Sequence, residues 1–212
     1  MNIYRQYSSL IRQFRKKRMK KFLKFMAPKE DEIILDVGGT SYNWKLIDIN
    51  NQVVLLNLKP PTKKPDRKDK DTNLSYVTGD ATKMKYAESE FDICFSNSVI
   101  EHVGSIEKQK QFAKEVMRVG KKMWIQTPAK TFFFEPHYLT VYLHWLPKKY
   151  QKRLIRYFSM WGILSKPNQL KINDLVNRTR LLTYKELIVI FPNCSIIKER
   201  FMFMTKAYII IK

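Results

Sequence analysis

The segment from Glu32 to Trp44 reads EIILDVGGTSYNW, and it decides the fold. An apolar β-type run, EIILDV (32–37), is followed directly by Gly38 and Gly39. Glycines at the carboxyl end of a parallel strand let the backbone turn tightly and approach a ligand closely. Asp36 can orient such a turn or accept hydrogen bonds from a cationic ligand. The segment therefore predicts a strand and a ligand-binding loop, although a purely structural turn can use the same residues.

Four more β-type runs follow, VVLLNL (53–58), LSYV (74–77), FDICFS (91–96) and KMWIQT (122–127). Such apolar runs, separated by helical or long connections, are typical of a mostly parallel sheet covered on both faces. Near the end, Thr183 and Glu186 form a capping box for a helix, and two runs close together in sequence (194–201 and 206–212) predict an antiparallel pair. The sequence thus predicts an α/β fold, a Rossmann-like doubly wound, mostly parallel seven-stranded sheet with an antiparallel C-terminal strand pair.

Polar residues stand at the ends of successive strands. Asn57 ends the second strand 21 residues after Asp36, close to the ~20-residue interval at which Rossmann-type sites place a residue on ribose hydroxyls. Asp80 follows the third strand, where a carboxylate can accept a hydrogen bond from an adenine amine. The fourth strand leads into SNSVIEHV, with Asn97, Ser98, Glu101 and His102. Polar groups at successive strand ends predict a ligand crevice.

The ordered set ILDVGG, VVLLNL, VTGDATKM, FDICFSNSVIEHV and FAKEVMRVGKKMWIQTP resembles the class I S-adenosylmethionine-dependent methyltransferases, specifically the methyltransferase type 11 group. The resemblance covers roughly residues 30 to 212. Nicotinamide-dependent Rossmann enzymes would more often show G-x-G-x-x-G at the first turn, and this pattern is absent. The resemblance implies an enzyme that uses S-adenosylmethionine as its cofactor.

Position by position, the resemblance also implies which residues bind the cofactor. These are Asp36, Gly38 and Gly39 for the methionine moiety, Asn57 for the ribose, Asp80 and Ala81 for the adenine, and Asn97 and Ser98 near the transferred methyl group. The chain departs from the family pattern twice. Asn57 stands where the family normally has an acid, and SYNW (41–44) replaces the third loop glycine.

Three residues are candidates for acid–base catalysis. A sulfonium is already a strong electrophile, so a base is needed only if the acceptor must lose a proton. Glu135 and His137, in FFFEPHYL, follow the fifth strand and are expected to overhang the crevice, with a loop-structuring role as the alternative. His102 is the third candidate, against a packing or capping role. The two cysteines and three histidines show no metal-ligand spacing, so no metal site is predicted.

Two segments are expected to flank or interrupt the core. Residues 1–28 predict a basic amphipathic helix that packs on the domain or faces a membrane or RNA, and residues 29–212 predict the methyltransferase domain. Within it, the aromatic segment 131–164 is predicted to be a helical lid over the site. The alternative is a helical subdomain that has only a structural role, with its own small core. Residues 59–72, with three prolines and nine charges, predict an exposed loop.

Net charge and hydropathy limit the classes of partner that the chain is expected to have. The formal net charge of +21 favours polyanions, although coding bias alone can produce a lysine-rich chain. No apolar run approaches the roughly 20 residues that span a bilayer, and the N-terminus lacks a secretory pattern, so a cytoplasmic protein is expected, with peripheral membrane contact as an option. The leading hypothesis is methyl transfer to oxygen or carbon of a small-molecule or lipid-linked acceptor. RNA methylation and a non-catalytic binding role are the alternatives.

Overall fold

The computed structural model describes residues 3–60 and 73–212, with side chains described from residue 12 onward. The described helices are α1 (Ile3–Met26), α2 (Ser41–Trp44), α3 (Ile106–Val119), α4 (Lys148–Phe158), α5 (Met160–Ser165), α6 (Gln169–Arg178) and α7 (Tyr184–Ile190). The described strands are β1 (Ile34–Val37), β2 (Val53–Asn57), β3 (Leu74–Thr78), β4 (Phe91–Asn97), β5 (Gly120–Pro128), β6 (Phe134–Glu135), β7 (Thr140–Val141), β8 (Ser195–Phe201) and β9 (Met204–Ile211). Short 3₁₀ helices lie at Ile100–His102 and Leu143–Trp145.

Seven of the strands form one sheet in the order β3-β2-β1-β4-β5-β9-β8. Strand β1 runs parallel to β2 and β4, and β2 runs parallel to β3, whereas β8 and β9 are antiparallel. The predicted Rossmann-like fold is therefore confirmed, including the antiparallel pair at the C-terminus. The capping box of Thr183 and Glu186 is also present at the start of α7.

The chain divides into two compact units. The first unit comprises residues 1–97, 114–125 and 212, and the second comprises 98–113 and 126–211. The first contains β1 to β4 with α1 and α2, and the second contains the β6–β7 hairpin, helices α4 to α7 and strands β8 and β9. The described part of the predicted 59–72 loop stops at residue 60, so residues 61–72 lie outside the described residues.

Helix α1 packs in the first unit through the fully buried ring of Phe22. This ring meets Trp44, Phe95 and Trp124 edge-on, with ring centroids 5.8, 5.1 and 5.9 Å away. Edge-to-face aromatic pairs stabilise by about 0.5–1.5 kcal/mol beyond the area that they bury. One residue therefore connects α1 to β4, to β5 and to the segment that follows β1.

The connections between the first strands are less helical than the sequence suggests. Only the one-turn helix α2 is described between β1 and β2, and residues 79–90 between β3 and β4 contain no helix. A sheet face left without a long crossover helix needs another apolar cover. In this unit α1 provides apolar cover for β4 and β5, with Met19, Phe22 and Met26 buried.

The second unit has a small core of its own. Its buried members are Tyr138, Leu143, Ile155, Ile172 and Val176. Helices α4 and α5 meet closely, because a Cβ added at Gly162 would lie 2.1 Å from the carbonyl oxygen of Ile155. None of the helices described in either unit is long and apolar enough to cross a membrane.

The packing of α1 predicts a large difference between two phenylalanines on the same helix. Phe22→Ala should lower the free energy of unfolding by about 3–5 kcal/mol, because it removes a fully buried ring and leaves a cavity. Phe25→Ala is the matched control, since 52% of that side chain is exposed, and it should cost less than about 1 kcal/mol. Urea denaturation measures both values, and equal losses would contradict the packing described for α1.

Candidate active site

The loop after β1 is tied to β2 by two hydrogen bonds. The Gly38 N–H donates to the carbonyl oxygen of Leu56 at 2.7 Å, and the amide Nδ2 of Asn57 donates to the carbonyl oxygen of Gly39 at 2.8 Å. Gly38 has a φ of 76°, in the left-handed region that side chains rarely adopt. The two glycines are thus required by the loop conformation, and Asn57 holds the loop in place.

Asp36 lies fully buried beneath this loop. Its Oδ2 accepts a hydrogen bond from Nε1 of Trp44 at 2.8 Å, while Oδ1 has no hydrogen-bond partner among the described residues. Burial raises the pKa of Asp36 from 3.8 to about 7, against the opposing effect of the Trp44 hydrogen bond. A Cβ added at Gly39 would lie 1.7 Å from Asp36 Oδ2, so only glycine fits above the carboxylate.

Trp44 is a site residue that the sequence reasoning missed. The one-turn helix α2 returns its side chain over the end of β1, where it is buried. The signal was present in SYNW, the segment that replaces the third loop glycine of the family. Residue spacing alone does not predict that a large side chain after the loop would form a hydrogen bond with the carboxylate before it.

Asp80 organises the turn after β3. Its Oδ1 accepts hydrogen bonds from the backbone N–H and the hydroxyl of Thr82, both at 2.8 Å. The preceding Gly79 N–H donates to the carbonyl oxygen of Asn57 at 2.9 Å, and Ala81 completes the turn. Asn57 therefore contacts both the glycine loop and the Asp80 turn, and the structure brings the predicted ribose and adenine positions together.

The last two predicted cofactor residues, Asn97 and Ser98, belong to different units of the chain. Asn97, in the first unit, accepts a hydrogen bond at Oδ1 from Nη1 of Arg18 at 2.9 Å. Arg18 is buried on α1 and was also missed, because nothing in a run of basic residues singles it out. Ser98, in the second unit, has a φ of 59° and donates its hydroxyl to Oε1 of Gln126 at 3.0 Å. A left-handed serine is uncommon and is a feature enriched at functional sites.

The second unit brings the three predicted catalytic residues together. Nε2 of His102 lies 2.9 Å from Nε2 of His137, and Nδ1 of His137 pairs with Glu135. Glu101, which was noted only as part of the strand-end run, joins them with its side chain fully buried. His102 belongs to the 3₁₀ helix after β4 and His137 to the β6–β7 hairpin, so this proximity depends on tertiary structure.

Burial and mutual charge set the proton affinities of this cluster. Burial, with the neighbouring His137, lowers the pKa of His102 to about 4. Burial also opposes charging of His137, but the hydrogen bond and charge of Glu135 outweigh it and raise the pKa of His137. Burial raises the pKa of Glu101 to about 7. Near neutral pH, His137 is thus the stronger proton acceptor of the two histidines.

The first unit has the hydrogen-bonding groups and the glycine loop that an adenosyl cofactor requires. A carboxylate at an exposed position (Asp80), a half-buried amide (Asn57) and a glycine loop stand at the carboxyl ends of neighbouring parallel strands. These groups match an adenine amine, ribose hydroxyls and a close backbone approach. The residues therefore fit the cofactor, with Asp36 and Asn97 already hydrogen-bonded within the protein.

Comparisons with known proteins agree with this geometry. Residues 35–123 match the type 11 family described as "Methyltransferase domain". The fold is similar to the PH0226 protein from Pyrococcus horikoshii OT3 (16% identity, 91% of this chain and 85% of that chain, TM-score 0.54) and to an S-adenosylmethionine-dependent methyltransferase from Aquifex aeolicus (14%, 91% and 87%, 0.50). It is also similar to phosphoethanolamine N-methyltransferase 2 from Haemonchus contortus, solved with S-adenosylmethionine (15%, 86% and 38%, 0.56). No curated protein matches the chain.

The family match and the fold together support a class I S-adenosylmethionine-dependent methyltransferase. The match over residues 35–123 is to the type 11 group, and it supports an enzyme with S-adenosylmethionine as its cofactor, as the sequence resemblance implied. The non-catalytic alternative is therefore set aside. The structural relatives share less than a fifth of their residues with this chain and establish the fold alone.

The buried carboxyl of Asp36 predicts an unusual dependence of stability on pH. Because its pKa is raised in the folded state, the folded protein binds this proton more tightly than the unfolded chain, and stability falls as pH rises from about 4 to about 7. Asp36→Asn removes this loss and keeps an acceptor for Trp44. The melting temperature of Asp36→Asn minus that of the wild type should therefore be more positive at pH 8 than at pH 4.

Asp92 provides a control of opposite sign. The hydrogen bond from Lys121 lowers the pKa of Asp92, so this carboxylate stabilises the fold above its unfolded pKa and loses that contribution as pH falls through the folded value. Asp92→Asn should reduce the melting temperature at pH 8 and have less effect in acid. Calorimetry across the pH range measures both variants, and a parallel response of the two would refute the assignment for Asp36.

Proposed function

We propose that this enzyme methylates an oxygen or carbon atom of a small-molecule or lipid-linked acceptor. The observation that carries the proposal is the hydrogen-bonded chain of Glu135, His137 and His102 in the second unit. An alcohol, a phenol or an acidic C–H must lose a proton when it is methylated, so it needs a base. A buried histidine pair backed by a carboxylate is suited to that task.

One proton arrangement satisfies all of these contacts. When Nδ1–H of His137 donates to Glu135, its Nε2 carries a lone pair, and this lone pair accepts the Nε2–H of His102. The Nδ1 of His102 is then a buried acceptor without a hydrogen-bond partner among the described residues. A proton taken up by the pair is stabilised by Glu135, as in other carboxylate–histidine pairs that act as bases.

In the same proposal, the first unit holds the cofactor. The loop of Gly38 and Gly39 contacts the methionine moiety. The hydrogen bond between Asp36 and Trp44 holds this loop in its conformation. Asn57 accepts a hydrogen bond from the ribose, Asp80 and Ala81 hold the adenine, and Asn97 lies near the methyl group. Ser98, the first residue of the second unit, keeps the same proposed role as Asn97. The bound cofactor supplies a methyl group on an electrophilic sulfonium, so these residues need only bind and orient it. The aromatic segment 131–164 is proposed as the lid that excludes water and accepts an apolar substrate.

The adenine assignment predicts a loss of cofactor affinity in one variant and not in its neighbour. Asp80→Ala should weaken binding of S-adenosylhomocysteine roughly tenfold to hundredfold, as expected for the loss of a hydrogen bond to a charged group. Thr82→Val is the control, since it removes only the hydroxyl that Asp80 accepts, and it should change affinity by less than about threefold. Isothermal titration calorimetry measures both, and unchanged affinity in Asp80→Ala would exclude the assignment.

The base assignment predicts a fall in turnover. His137→Asn should lower kcat about 10²–10⁴-fold, the usual contribution of general acid–base catalysis, with cofactor affinity preserved. His144→Gln is the matched control because His144 is a buried histidine of the same unit whose Nε2 lies 3.2 Å from the carbonyl oxygen of Lys130. Glutamine can keep that contact, so its kcat should stay within about threefold of the wild type.

The measurement uses cofactor labelled in its methyl group and fractionated cell extract as the source of acceptor. Label should enter the organic-soluble or small-molecule fraction. If the acceptor is not a carboxylate, the labelled product should resist the acid and base treatments that cleave methyl esters. Incorporation into RNA alone would support the RNA alternative that the net charge of +21 raises. Label in no fraction with the wild-type enzyme would reject the proposed acceptor classes.

A basic and apolar surface on α4 and α5 supports a lipid-linked acceptor presented at a membrane. Large apolar side chains are exposed at Tyr150, Tyr157, Phe158, Met160, Ile163 and Leu164. Helix α4 adds Lys148, Lys149, Lys152, Arg153 and Arg156, and no acidic residue occurs from 148 to 173. Aromatic and basic side chains together are typical of a surface that binds anionic lipid.

This α4–α5 surface predicts binding to anionic vesicles. The protein should sediment with phosphatidylserine-containing vesicles and not with neutral ones, and binding should weaken as salt is raised. The double variant Tyr157→Ser with Phe158→Ser should reduce binding roughly tenfold or more, because it removes two apolar side chains from the interface. Val189→Ser, at a position that is 70% exposed on α7, is the control. Equal binding by all three proteins would refute membrane docking through α4 and α5.

A further inference from the structure

The catalytic cluster of the second unit also has the arrangement of a metal site. Glu101, His102 and His137 each present one ligand atom, and these atoms lie within 4.8 Å of one another. The two histidines direct the same kind of atom, Nε2, toward each other at 2.9 Å. The spacing of these residues in the sequence gave no such indication, since 35 positions separate the two histidines.

The distances suit Zn²⁺ after a small adjustment. Zinc–nitrogen bonds of about 2.0–2.1 Å in a tetrahedral site place two ligand nitrogens about 3.4 Å apart. Opening the His102–His137 contact by about 0.5 Å would therefore admit the ion. An ion between the rings would also remove the need for a shared proton, because both Nε2 lone pairs would then have a partner.

Glu101 provides a second and independent observation. Its side chain is fully buried, and one oxygen, Oε1, has no hydrogen-bond partner among the described residues. The other oxygen accepts a hydrogen bond from the hydroxyl of Thr127 at 3.0 Å, which fixes the carboxylate. A buried carboxylate oxygen without a partner is costly, and coordination of a cation would satisfy it.

The residues around the cluster support a cation. Glu135 pairs with Nδ1 of His137, the contact that orients a histidine ligand and increases its basicity in zinc proteins. Glu101 and Glu135 together offer two buried carboxylates. The nearby cation, Arg178, is 59% exposed and lies 3.4 Å from Asp174, so its charge is largely screened.

We infer that the second unit binds one Zn²⁺ ion through the carboxylate of Glu101 and the Nε2 atoms of His102 and His137. Glu135 positions His137, and the fourth coordination position is open to a water molecule or to an oxygen of a ligand. Two histidines and one glutamate with an open position form a ligand set that zinc enzymes use. This inference does not rest on the proposed function, because the ion is held without cofactor or acceptor; the ion would occupy the two Nε2 atoms that share a proton in the metal-free cluster.

The test is titration of the chelator-treated full-length protein with Zn²⁺, in the absence of S-adenosylmethionine. Isothermal titration calorimetry should show a single site with micromolar or tighter affinity, and Co²⁺ should give the intense visible absorption of a four-coordinate ion. Affinity weaker than about 0.1 mM, equivalent to about 5.5 kcal/mol, would overturn the inference. It would leave the methyltransferase assignment untouched.

Variants separate this site from adventitious binding. Glu101→Gln and His102→Asn should each weaken Zn²⁺ binding at least roughly tenfold, because each loses a ligand, and Glu135→Gln should weaken it roughly tenfold to hundredfold. His144→Gln should bind as the wild type does. Undiminished binding in the double variant of Glu101→Gln and His102→Asn would show that the ion binds elsewhere and would overturn the assignment.

The wild-type protein gives a readout that does not depend on whether the variants fold. Nitrogen-detected NMR spectra of the three histidine side chains should show that Zn²⁺ moves the Nε2 signals of His102 and His137 toward metal-bound values. The signals of His144 should stay in place. Zinc-dependent shifts confined to His144, or absent from both members of the pair, would refute the site.

Discussion

The hydrogen bond from Trp44 to the buried carboxylate of Asp36 is the constraint on which the first unit depends. A buried carboxyl group is costly unless it is hydrogen-bonded, and the indole N–H provides that bond at 2.8 Å. The same indole packs on the rings of Phe22 and Phe95, with centroids 5.8 and 5.1 Å away. The end of β1, the glycine loop, helix α1 and strand β4 are therefore held by one set of contacts.

This constraint connects the departures from the family pattern. The third loop glycine is absent because the chain forms a single helical turn there and brings Trp44 back to Asp36. The resulting loop directs the carbonyl oxygen of Gly39 toward Asn57, whose Nδ2 donates to it. An acidic residue at that position would place two oxygen acceptors against each other. Asparagine thus keeps an oxygen for the ribose and supplies the donor that this loop needs.

The sequence predicts features that depend on local pattern and misses those that depend on packing. The strands, the glycine turn and the capping box of Thr183 and Glu186 follow from periodicity and local hydrogen bonding, and the structure contains them. The bond between Arg18 and Asn97 joins residues 79 positions apart, and no local pattern specifies it. The same holds for the histidine pair, whose members were predicted separately as candidates.

Charge in the second unit explains why the same cluster suits both a proton and a metal ion. Glu101 and Glu135 are both buried, and each has an oxygen without a hydrogen-bond partner among the described residues. Protein interiors rarely leave two such groups uncompensated. Because Arg178 is largely exposed, compensation comes either from a proton on Glu101, whose pKa burial raises to about 7, or from a cation at the histidine pair. A proton on His137 compensates Glu135 alone, whereas a divalent ion between the rings also coordinates Glu101. The second carboxylate is therefore what allows the same cluster to bind a metal ion as well as to accept a proton.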